Sequence, residues 1–133
     1  MAGDREQVIA NARVLSDALK DFHRALIRAE AGDDPVLNNP YTMLFALIDN
    51  PAYAWMSGLS GMISRLDEQI ADGTITEAGA LGQVYSEAAA LIGEGEGQPD
   101  PAFRLRHLTA LQKEPAVGLA TGRLRRALAE LKE

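Results

Sequence analysis

His23 and His107 are the side chains in this 133-residue chain best suited to hold a metal or a haem iron. His23 falls near the end of the first predicted helix, and His107 near the start of the last helical unit. In an up-down bundle those ends meet. Each histidine sits one place off an apolar seam, which is also where an ordinary boundary histidine sits. Arg24, Arg104 and Arg106 lie beside them in sequence and disfavour a bound cation. A carboxylate di-iron centre needs Glu three residues before each His, and those positions hold Lys20 and Arg104. There is no cysteine, so thiolate ligands, thiol nucleophiles and disulfides are excluded. The expected cofactor is therefore none, with His23 and His107 as ligands of a subordinate haem- or metal-binding reading.

Other fragments fail on context. Gly58-Leu59-Ser60-Gly61 approaches a nucleophile elbow, but Met62 stands where glycine is required and no strand precedes it. Gly93, Gly95 and Gly97 follow a helix and alternate with Glu94 and Glu96, whose charges repel phosphate. Read as a calcium loop with Gly73 sixth, the segment puts Ile70 and Gly79 at ligand positions three and twelve. A DNA-reading helix over 77–92 would carry Glu77 and Glu87 and no Lys or Arg. These failures favour a non-enzymatic domain. Carboxylates paired only in space could still do acid–base work, and a sequence does not reveal them.

Charge divides the chain. Residues 1–29 carry five basic and four acidic side chains, residues 30–100 one and twelve, and residues 101–133 seven and three. The net charge of −6 argues against nucleic acid as a partner. The basic end pairs with the acidic middle in the simplest reading. In the functional reading, Arg104, Arg106, Arg123, Arg125 and Arg126 form a face for an anion or an acidic partner.

The strongest binding signal is apolar. From Tyr41 to Met56, twelve of sixteen residues are apolar or aromatic, and Asp49 is the one charge. A helix apolar on all sides must be covered by its own core or by another molecule. Tyr41, Phe45, Tyr53, Trp55 and Met56 are the expected contacts of a protein partner or a second copy of the chain. A small-molecule ligand between the helices is the alternative. The pattern alone does not separate local core from interface.

The elements that must position these residues are all helical, so the fold class is all-α and residues 1–133 read as one domain. Val8, Ala12, Leu15, Leu19, Phe22, Leu26 and Ala29 repeat at four-three spacing, predicting a helix over 4–31 capped at Gly32 and ended by Asp33-Asp34-Pro35. Asn39-Pro40, Asn50-Pro51 and Asp100-Pro101 each read as an N-cap followed by proline at the first helical position. A helix after Pro51 turns Trp55, Leu59, Met62, Ile63, Leu66 and Ile70 to one face. Gly58 and Gly61 within it suggest a close backbone neighbour. Thr74 and Glu77 fit a capping box for a third long helix, with Ala78, Leu81, Tyr85, Ala88 and Ile92 inward. A flexible acidic linker over 93–99 precedes a last unit with Phe103, Leu108 and Leu111 inward. Val117, Leu124, Leu128 and Leu131 carry its seam onward. The expected architecture is an up-down four-helix bundle, with the second and fourth helical units broken or kinked at Pro51 and Pro115. No signal-type or membrane-spanning apolar run occurs, so the expectation is a cytoplasmic protein without a membrane partner.

Overall fold

The computed structural model describes residues 2–32, 39–94 and 100–131. The expectations for residues 33–35, for the linker over 95–99 and for the Leu131 side chain fall outside the described residues. The fold is all-α: among the described residues there is no strand. In chain order the helices are α1 (Ala2–Ala31), α2 (Pro40–Asp49), α3 (Pro51–Ala54), α4 (Ser57–Asp72), α5 (Ala80–Leu91), α6 (Pro101–Lys113) and α7 (Pro115–Leu131). A single 3-10 turn, Thr74–Thr76, joins α4 to α5.

α1 is the spine. Ala12, Leu15, Leu19, Phe22, Leu26 and Ala29 are all buried, and Val8 packs against the edge of the core. Four-three spacing holds one stripe toward its neighbours, and the intervening charged residues keep the other side wet. The stripe packs most extensively on α7 and next on α4. Leu59, Met62, Ile63 and Leu66 of α4, and Val117, Leu124 and Leu128 of α7, are buried in the same core. Ser16 is buried toward α4, where its hydroxyl donates to Asp67 Oδ1 at 2.6 Å. The Lys20 ammonium holds the other oxygen of Asp67 at 2.9 Å. The Ser16 hydrogen bond lowers the Asp67 pKa most, and Lys20 adds to the effect. Gly32 takes a positive φ of 57°, and its N–H closes the last turn on the Arg28 carbonyl.

Helix starts follow the Asx-Pro signals. Asn39 accepts from the Tyr41 N–H, Asn50 from the Ala52 N–H, and Asp100 from the Ala102 and Phe103 N–H groups. Asn50 and Glu114 both adopt extended backbone, which is what the residue before a proline prefers. The chain therefore breaks and restarts at Pro51 and at Pro115.

The described helices outnumber four long units, and most of them pack on α1. Three expectations need correction. Thr74 does not cap a helix. Its hydroxyl and N–H both go to Asp72 Oδ1, at 2.6 and 2.9 Å, and the chain makes a 3-10 turn. α5 starts only after Gly79 at φ 83°, which leaves Glu77 and Ala78 exposed. Its buried face is Val84, Ala88, Ala89 and Ile92, with Leu81 and Tyr85 on the flanks. Among the described residues, Gly58 and Gly61 have no neighbour where a Cβ would stand, and no backbone packs closely there. Finally, Leu108 points outward. α6 turns Phe103, His107 and Ala110 into the core, and Leu111 is half-buried.

Candidate functional site

α2 carries the most unusual surface. Its sequence, Pro-Tyr-Thr-Met-Leu-Phe-Ala-Leu-Ile-Asp, is apolar almost throughout, yet none of its residues is buried. Tyr41, Leu44, Phe45 and Ile48 are 75%, 53%, 62% and 69% exposed. Their spacing of three, one and three places them on a single face. Thr42, Met43, Ala46 and Leu47 form the opposite, half-buried face. Covering a Phe, Leu or Ile side chain is worth about 1.5–3 kcal/mol. The outer face of α2 leaves that stabilisation unused.

The five residues expected to meet a partner separate on this criterion. Tyr41 and Phe45 stand on the exposed face of α2. Tyr53 and Met56 belong to the core of this chain and cannot present their side chains outward. They sit at the α3–α4 corner, where the short α3 tucks in against α1. Trp55 is half-buried, with its ring 5.2 Å from that of Phe103. Its indole N–H is buried with no hydrogen-bond partner among the described residues. Leu44 and Ile48 complete the outer face and carry no aromatic ring, which is how the sequence passed them over.

The histidines part company. His107 is buried with its ring edge-on to Phe22, centroids 5.0 Å apart. The Arg104 guanidinium donates to Nδ1 at 2.9 Å, so the ring proton sits on Nε2. That N–H donates to Thr121 Oγ1 at 3.0 Å, and the Thr121 hydroxyl donates to the Val117 carbonyl at 2.7 Å. Burial, then the nearby charges of Arg104 and Arg125, pull the His107 pKa down to about 4. His23 is half-buried, with Nε2 3.0 Å from the Ser60 hydroxyl, and burial lowers its pKa. Both nitrogens of His107 are thus occupied by protein groups, and the two histidines face different partners. Among the described residues, no group of three or more His, Asp and Glu side chains is placed to hold a metal ion. The sequence did hold a signal for His107: Phe103, His107 and Ala110 repeat the four-three spacing of a buried seam.

The basic residues do not form one face. Arg125 pairs with Glu94 at 2.5 Å, and Arg123 reaches across to Asp21 on α1, which also holds Arg24. Arg104 is committed to His107 and lies over Gly93. A Cβ at Gly93, where φ is 73°, would stand 2.9 Å from that guanidinium. Arg106 and Arg126 are exposed and have no ion pair among the described residues.

A cleft absent from the sequence reading opens between the second half of α1 and the start of α7, with Met43 of α2 as a side wall. Its volume is about 800 Å³. No protein-family description, curated protein or solved structure matches this chain. No described helix is long and apolar enough to cross a membrane.

Proposed function

We propose that this chain is a non-enzymatic protein-interaction domain whose docking element is α2. The carrying observation is the exposed row Tyr41, Leu44, Phe45 and Ile48 on a helix with no buried residue. A second copy of the chain is the partner closest to hand. Residues 40–48 bear no charge, so two α2 helices can lie together without like-charge repulsion. Aromatic residues at the centre of such a patch suit an interface anchor. We read the architecture as an up-down bundle of α1, α4, α5 and the α6–α7 unit, with α2 laid outside them. Cytoplasmic location belongs to the same proposal.

The test is sedimentation of the wild type beside a Tyr41→Ser, Phe45→Ser, Ile48→Ser variant over a wide concentration range. The wild type should self-associate and the variant should stay monomeric, with equal helix content and melting temperature. If the wild type is monomeric throughout, the homotypic form fails. If, in addition, both proteins capture the same partners from native extract, α2 is not a docking element at all.

A further inference from the structure

The cleft between α1 and α7 combines two properties. Part of its lining is apolar: Ile27 from α1, Met43 from α2, and Ala116 with Leu119 from α7. Leu119 is 77% exposed, although it belongs to the same helix as the core residues Val117 and Leu124. The rim is cationic: Arg24 and Arg28 on one side and Arg123 on the other. Among the described residues that line the cleft Asp21 is the one acid, and it is shared between Arg24 and Arg123. Arg28 has no ion pair or hydrogen bond among the described residues. Among the described residues the lining therefore sets three arginines against one aspartate, in a chain whose net charge is −6.

We propose that this cleft binds an amphipathic anion, a carboxylate or phosphate head on a single unbranched alkyl chain. A guanidinium meets either head through two parallel hydrogen bonds. The alkyl chain covers Ile27, Met43 and Leu119. The cleft volume lies within the range of about 300–1,000 Å³ usual for small-molecule sites. An acidic amphipathic helix shares some of this chemistry, but it needs a long open trough, and Met43 walls this one on its third side. The site is separate from the outer face of α2, because Met43 lies on the opposite side of that helix from Phe45.

Titration calorimetry on the full chain tests this, with sodium decanoate and decyl phosphate as probes below their micelle concentrations. Controls are decanol, decyltrimethylammonium and inorganic phosphate. One or both anionic probes should bind at a single site, and the stronger of the two assigns the head group. Arg28→Gln and Leu119→Asp should each weaken binding at least tenfold without shifting the melting temperature, since both side chains are exposed. The Tyr41→Ser, Phe45→Ser, Ile48→Ser variant should bind as the wild type does, so failure of α2 docking leaves this result standing. Equal binding of decyltrimethylammonium, or no effect of either cleft substitution, overturns the proposal.

Discussion

α1 and α2 are both rich in apolar residues, and they use them in opposite ways. α1 interleaves its apolar positions with Arg13, Asp17, Lys20, Arg24 and Arg28, and every residue from Ala12 to Ala29 on its four-three seam is buried. α2 has no charged residue before Asp49 and buries nothing fully. The contrast shows that the apolar content of a helix does not determine its burial. Periodic contrast between faces tells a chain which side to hide. Without that contrast, burial is decided by where the neighbouring elements leave room. α2 is joined closely only to the short α3, so one of its two apolar faces stays outside.

Core truncation should break this comparison most sharply. Phe22→Ala is expected to cost about 3–5 kcal/mol, because it empties a fully buried site that also supports the His107 ring. Phe45→Ala should change stability by no more than about 0.5 kcal/mol. Urea denaturation of the two variants measures the difference. Comparable losses would mean that α2 is covered in solution, and would place its outer face in the core.

The next effect comes from pH. The folded-state pKa of His107 lies below its unfolded value of 6.5, so the unfolded chain binds more protons between the two. Its contribution is complete above pH 6.5, falls as the pH drops toward about 4, and is worth about 3 kcal/mol at most. His107→Phe should flatten this part of the stability profile in chemical denaturation from pH 7 to pH 4. An unchanged slope would show that the imidazole is not held neutral by burial.

The smallest expected effect sharpens the contrast on α4. Gly58→Ala and Gly61→Ala should each raise stability by about 0.5–1 kcal/mol, read as a higher urea midpoint. Both sites are exposed, helical and open. Destabilisation instead would mean that another backbone does come close, as the sequence first suggested.

Much of the fold was legible because it was written locally. The α1 seam, the Gly32 cap and the Asx-Pro helix starts each depend on residues within one or two turns. The failures share another cause. Thr74 met a nearer competitor in Asp72, so its hydroxyl never reached the N–H of Glu77. Tyr53 and Met56 could not be told from Tyr41 and Phe45, because all four lie in one uniformly apolar run. The cleft and the His107 hydrogen bonds were invisible for a third reason. They join α1 to α7 and α6 to α7, and no local pattern records which arginine or threonine another helix will supply. Of the candidate site, the sequence located the apolar segment and left open which of its faces stays uncovered.

The pairing of α1 with α7 also bears on how the chain is made. During synthesis the seam from Ala12 to Ala29 emerges early, and its principal cover starts at Pro115. At about 5–20 residues per second, the roughly 80 residues between these helices take on the order of 4–17 s to appear. Throughout that interval the nascent chain presents its longest apolar stripe without its final neighbour. α4, which packs on another part of α1, is complete well before α7 begins.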